Sequence, residues 1–294
     1  MYLKHYQLRT MPFESTPDPR FFFESEQHRE ALAAIEYTIR MRKGFVLITG
    51  DIGSGKTTVG RTMVRRCADR ANILQVLHGH RTPNELLKQV MRAMNLKYKI
   101  RDDHGRILER LQTHLLQEAR AGKPIVLFVD EAQTLSDDAL EELRLLSNFD
   151  TSTSKLIQVI LVGQPELRQR ICQPKLSALR QRIVMAKQLS ALTAQQTGSY
   201  IAHRIRVASE NPGEPKASFS LPAVAEIHHH CGGVPRLINT VCDNCMLMGY
   251  VKQTEIITPA MVRRVVADII PRFDDSLESD MDQDRPRLRF AGGM

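Results

Sequence analysis

Residues Gly50-Asp51-Ile52-Gly53-Ser54-Gly55-Lys56-Thr57 match the pattern G-x-x-x-x-G-K-[ST] in full, and few architectures can carry such a run. The glycines let backbone N–H groups close around phosphate oxygens without interference from a Cβ. In a loop of this kind Lys56 reaches the β- and γ-phosphates of a nucleotide, and the Thr57 hydroxyl binds Mg2+. The flanks agree with that reading. The apolar run Phe45–Thr49 leads in as a strand, and Thr58 to Cys67 continues as a helix whose N-terminus faces the anion.

A second apolar strand, Pro124-Ile-Val-Leu-Phe-Val, ends in Asp130-Glu131, at the sheet edge where open α/β folds bind their ligands. Asp130 is expected to hold the Mg2+ shell, and Glu131 to orient or deprotonate an attacking water. An acidic pair after a strand is often only a helix cap. Behind a complete phosphate loop it points to hydrolysis of ATP rather than to binding alone.

The rest of the middle alternates strands with helical patterns. Strands are expected at Ile73–Leu77, Ile125–Val129, Leu156–Val162 and Ile183–Lys187, with helices at Glu85–Met94, Ile107–Ala119 and Ala139–Leu146. Such alternation, with apolar strands that do not alternate polar and apolar, predicts a parallel sheet covered by helices on both faces. After about residue 190 the strands stop. Thr193 caps a helix to about Ala208, and Leu221–His230, Pro235–Gly249 and Pro259–Ile269 fit three more.

Before the sheet, Thr10 to Arg20 contains three prolines, which exclude regular structure there; Phe21, Phe22 and Phe23 are too apolar for a free arm. Ser25 then caps a helix carrying Ala31, Leu32, Ile35 and Ile39 on one face. The expected organisation is therefore a linker and first helix packing on the core over 1–40, an α/β nucleotide-binding domain over 41–190, a small helical domain over 191–271, and a disordered tail over 272–294.

Composition excludes several classes. At 42% hydrophobic and 25% charged, the chain is not globally disordered. No apolar stretch approaches the ~18 residues of a membrane span, and Met1 to Leu8 lacks the apolar run of a signal peptide, so a cytoplasmic protein without an integral membrane segment is expected. Five cysteines are not a disulfide framework. The net charge is +8, and the segment Asp274–Asp284 holds six acidic residues and no basic one. Without the tail the body carries about +11, enough to attract nucleic acid or an anionic membrane surface, although a charged solvated surface has the same composition.

With these residues in place the sequence resembles the AAA+ ATPases, and among them the ExeA/GspA group, which serves secretion and pilus assembly; the regulators of transposition are more distant. The likeness runs over about residues 1–270. It takes in Tyr6-Gln-Leu, Pro12-Phe13, Thr16-Pro-Asp-Pro-Arg20, Gly44-Phe-Val-Leu-Ile-Thr-Gly50, Asp130-Glu-Ala-Gln133 and Leu143-Arg-Leu-Leu-Ser-Asn148. It continues through Leu161-Val-Gly-Gln-Pro-Glu-Leu167, Leu179-Arg-Gln-Arg-Ile183 and Gly233-Val-Pro-Arg-Leu-Ile-Asn239. The resemblance implies a phosphate-loop sheet followed by a helical lid. It also implies that Gln164 is the polar sensor beside the carboxylates, and that Arg236 closes over the nucleotide. Arg180 or Arg182 would be presented to the γ-phosphate of a neighbouring subunit in a ring or filament. Partners would be a secretion or pilus machine, or alternatively a transposase and double-stranded DNA. Full-length members of the group continue into a membrane segment and a cell-wall-binding region; this chain is expected to act as a stand-alone module.

Two other constellations are set aside. His228-His-His230-Cys231 with Cys242 and Cys245 offers zinc-ligand residue types, but the two cysteines fall three apart inside an apolar helix, where buried thiols act as small hydrophobes. No serine has the setting of a nucleophile elbow. Arg61, Arg65, Arg66 and Arg70 recur at helical spacing, as a stripe facing DNA or as a solvated face.

Overall fold

A computed structural model of the protein describes residues 2–14, 16, 18–76, 82–99, 102–120, 122–150 and 155–269. The charged tail expected over 272–294, and Leu77 at the end of the second expected strand, lie outside them. The chain divides into two units, one of residues 16–191 and one that joins the N-terminal segment up to residue 15 to everything from Leu192 onward.

The first unit runs α1 (Glu26–Arg40), β1 (Phe45–Gly50), α2 (Lys56–Cys67), β2 (Asn72–Val76), α3 (Pro83–Ala93), α4 (His104–Arg120), β3 (Ile125–Val129), α5 (Asp137–Leu146), β4 (Ile157–Gly163), α6 (Pro165–Ile171), α7 (Ser177–Arg182) and β5 (Ile183–Leu189). The five strands form one parallel sheet in the order β2-β3-β4-β1-β5. Successive side chains of a strand point to opposite faces, and here both faces are covered. Phe45, Leu47, Leu127, Val129, Val159 and Leu161 pack with Leu86, Leu111, Leu140 and Leu167 on one side. Val46, Ile48, Val126, Phe128, Ile160 and Val162 meet Leu32, Ile35, Val59 and Met63 of α1 and α2 on the other. That two-sided burial is why Phe45–Ile48 of β1 and all of β3 read as unbroken apolar runs, and why β4 is apolar apart from the buried Gln158. The edge strands β2 and β5 are only partly covered, and β5 alternates exposed and half-buried residues.

Local chemistry fixes the element ends. The Ser25 hydroxyl accepts the His28 N–H at the start of α1, and the Ser136 hydroxyl accepts the Ala139 N–H at the start of α5. The proline-rich entry is not wholly irregular: Pro19–Phe21 forms a single 3-10 turn, because Asp18 accepts the Arg20 N–H and proline suits a first helical position. Helices α6 and α7, between β4 and β5, have no counterpart in the sequence reading.

The second unit holds α8 (Ala194–Ala208), β6 (Ser218–Phe219), α9 (Leu221–Cys231), α10 (Pro235–Val251), β7 (Ile256–Ile257) and α11 (Pro259–Ile269). A reciprocal cap between Thr193 and Gln196 starts α8. The strands do not stop at residue 190, since β6 and β7 pair in parallel over two residues each. Residues 2–14 are built into this unit. The fully buried Tyr6 donates its hydroxyl to the Met246 and Thr254 carbonyls, and the buried Arg204 guanidinium donates to the Pro12 and Glu14 carbonyls. Cys231, Cys242 and Cys245 are free, buried thiols; burial pushes Cys231 and Cys245 up to about 12.

Candidate functional site

Strand β1 delivers the chain to a loop whose first and last glycines have no room for a side chain. A Cβ on Gly50 would lie 2.6 Å from the Leu189 carbonyl oxygen and 2.7 Å from the Ser54 hydroxyl. Gly55 turns the loop into α2 with φ 96°, in the left-handed region that favours glycine. Lys56, 6% exposed, folds its ammonium back to donate to the Gly50 carbonyl at 2.6 Å and the Asp51 carbonyl at 2.8 Å. Burial lowers its pKa, and the negative charges of Glu131, Asp130, Asp51 and Glu166 pull the other way. An anion entering the loop therefore meets a desolvated cation, which exchanges the Gly50 and Asp51 carbonyls for the anion's oxygens. The Ser54 hydroxyl is buried with no partner among the described residues, a donor that a phosphate oxygen satisfies. Asp51, Ile52 and Gly53 complete the rim, while Thr57 and Thr58 open α2 behind the loop. These features fit a nucleotide phosphate chain.

Strand β4 lies between β1 and β3, so its C-terminal end separates the phosphate loop from the carboxylates. The Thr57 hydroxyl donates to the Asp130 carboxylate at 3.3 Å across that edge. Burial raises the Asp130 pKa; the Glu131 N–H, bonded to its carboxylate at 3.0 Å, acts against this. Two hard oxygen ligands held together at the mouth of a phosphate loop suit Mg2+. Glu131 adopts φ 52°, a left-handed conformation that costs a residue with a Cβ roughly 1–2 kcal/mol. The turn Ala132–Thr134 holds it there, with the Thr134 N–H and hydroxyl both donating to the Glu131 carbonyl.

The remaining residues expected at the site divide by position. Gln164 follows β4 directly and is the N-cap position of α6, beside Asp130 and Glu131 on the sheet edge. Arg180 and Arg182 end α7 at the opposite edge. The Arg182 carbonyl lies beside Gly44, ahead of β1, and six residues of strand put about 20 Å between that point and the loop. The Arg180 guanidinium donates to the Cys172 carbonyl at 3.0 Å, and Arg182 carries its charge near Asp150. Arg236 belongs to the second unit, exposed in the first turn of α10, where the Leu192 N–H bonded to the Gly233 carbonyl pins the preceding turn. Arg61, Arg65, Arg66 and Arg70 are exposed, and Arg66 pairs with Glu24.

Two residues without a role in the sequence reading stand in the site. His28 of α1 accepts the Ser25 hydroxyl through Nδ1 at 2.6 Å and donates from Nε2 to the Ser54 carbonyl at 3.3 Å, bracing the loop from behind. Gln133 connects Glu131 to the end of β4.

Residues 39–171 match the family described as "AAA domain". Over 252 residues the chain is 37% identical to General secretion pathway protein A of Aeromonas hydrophila; that stretch is 86% of this chain and 45% of the relative, so the chain spans less than half of that protein. The fold is similar to the Aeropyrum pernix ORC2 protein in its ADPNP–ADP complexes, with a TM-score of 0.66, 15% identity, and 87% and 71% of the two chains covered. It is also similar to Cdc6p from Pyrobaculum aerophilum (TM-score 0.66, 15% identity, 88% and 70% covered). The Thermotoga maritima RuvB Holliday junction branch migration motor follows at a TM-score of 0.53, 17% identity, and 84% and 70% covered.

Proposed function

Since this chain belongs to the AAA ATPases, we propose that it binds Mg-ATP at the loop Gly50–Thr57 and hydrolyses it between subunits to drive a conformational or assembly switch in a secretion or pilus-assembly system. The observation that carries the chemical part is the meeting of Thr57 and Asp130 at 3.3 Å, at the sheet edge where Lys56, Glu131 and Gln164 also lie.

Each residue then has one task. The backbone of Gly50 to Gly55 and of Thr58 surrounds the phosphates, and Lys56 supplies the positive charge at their far end. Thr57 and Asp130 hold Mg2+. Bound there, the metal neutralises charge developing on the transferred phosphoryl group. Glu131 orients the water and accepts its proton, and Gln164 contacts the γ-phosphate. Arg180 or Arg182 of a neighbouring copy completes the charge at the outer face, a contribution worth roughly 10³–10⁵ in rate. Arg236 closes from the helical unit.

The secretion role is supported by the 37% identity to General secretion pathway protein A over most of this chain. A DNA-bound regulator of transposition is the second reading, and the exposed arginines of α2 favour it. Assembly that requires DNA, and that weakens steeply as salt rises, would replace the first reading by the second.

A fluorescent ATP analogue and steady-state phosphate release test the site. Lys56→Ala should lose nucleotide binding. Glu131→Gln should bind within about threefold of wild type and hydrolyse roughly 10²–10⁴ times more slowly. Lys56→Ala protein that hydrolyses ATP at the wild-type rate would overturn the assignment.

A further inference from the structure

The Gln133 side chain lies between the Glu131 carboxylate and the end of β4. Its Oε1 accepts the Gln164 backbone N–H at 3.1 Å, and its Nε2 donates to Glu131 Oε2 at 2.5 Å. The amide has only one workable orientation, because a backbone N–H requires the oxygen and a carboxylate requires the NH2. Gly163 makes room for it; a Cβ there would lie 2.8 Å from Gln133 Oε1.

The backbone beneath is held as firmly. Arg170 of α6 donates to the Gln133 carbonyl at 2.7 Å and the Leu135 carbonyl at 2.8 Å, and to Asp137 Oδ1 at 2.6 Å. Lys175 pairs with the same Asp137 carboxylate. Gln133 is thus fixed by α6 on its main chain and by β4 on its amide oxygen, which leaves its NH2 to set where the Glu131 carboxylate points.

From this geometry we infer that Gln133 is the positioning residue of the hydrolytic site: it holds Glu131 in the direction needed to orient water, and it ties that carboxylate to the backbone of Gln164. A shift of Gln164 at the β4–α6 junction is then passed to Glu131 through one amide. The inference rests on Glu131 being the carboxylate that acts on water.

Two variants separate the two ends of the bridge. Gln133→Glu keeps an acceptor for Gln164 and cannot donate to Glu131; Gln133→Met removes both bonds at similar volume. Both should lower kcat by roughly 10- to 100-fold, the loss that a displacement of order 1 Å produces, with KM and analogue affinity within threefold. Neither should slow the Glu131→Gln protein further, because the group being positioned is already gone. In protein without nucleotide, hydrogen exchange of the Gln164 amide should accelerate in Gln133→Met and stay protected in Gln133→Glu. Wild-type kcat in Gln133→Met beside an inactive Glu131→Gln would overturn the positioning role alone. Wild-type turnover in Glu131→Gln would overturn the role of the carboxylate and the inference with it.

Discussion

At the residue scale, His28 of α1 is a titratable side chain bonded to the phosphate loop, and its effect has a definite sign. It is 6% exposed, and burial pushes its pKa below the usual histidine value, against the bond to the Ser54 carbonyl. A histidine depressed in this way stays neutral in the fold while the unfolded chain takes up a proton below about pH 6.5. Stability is therefore lost as pH falls through the window below that value, by up to about 1.4 kcal/mol per pH unit for one proton, and is unaffected above it. Melting curves between pH 7.5 and 5 should show this decline. His28→Gln should flatten it in part only, since burial also lowers His203. An identical slope in wild type and variant would remove His28 from the account. The placement of Lys56, Thr57 and Asp130 at one sheet edge was legible in the sequence because a phosphate loop and a strand-end acid are local patterns. The bonds of Gln133 and His28 were not, since they reach partners 31 and 26 residues away, which no spacing rule connects.

At the element scale, the sheet was readable because burial on both faces leaves β1 and β3 as apolar runs and β4 as a run broken by Gln158 alone, each bounded by turn residues. Helices α6 and α7 were not, as runs of seven and six residues are too short for a periodic face. The two-residue strands β6 and β7 carry no pattern at all, and the place of residues 2–14 rests on hydrogen bonds to residues near 204, 246 and 254. Packing of α2 on the sheet gives a sharp test. A Cβ on Gly60 would come within 2.2 Å of Phe128 Cζ, so helix and strand approach as closely as they do only because Gly60 has no side chain. Gly60→Ala should destabilise the protein by about 1–3 kcal/mol, despite the better helix propensity of alanine, and lower Tm by several degrees. Phe128→Leu in the same chain should recover part of that loss. An unchanged or higher Tm for Gly60→Ala would mean that the contact is looser than described.

At the scale of the whole molecule, the account requires more than one chain. Strand β1 separates the phosphate loop at its end from the Arg182 backbone near its start by about 20 Å, which favours Arg180 or Arg182 acting on the loop of another copy. The central claim is that ATP is hydrolysed where the Lys56 side of one copy meets an arginine of the next, and turnover per chain should therefore rise with protein concentration. The most direct measurement mixes two inactive proteins, Lys56→Ala with Arg182→Ala, and in parallel Lys56→Ala with Arg180→Ala, and follows phosphate release. One of the two mixtures should regain activity, because a mixed interface pairs the intact loop of one variant with the intact arginine of the other. No recovery in either mixture, together with full wild-type turnover by a strict monomer at every concentration, would contradict the shared site.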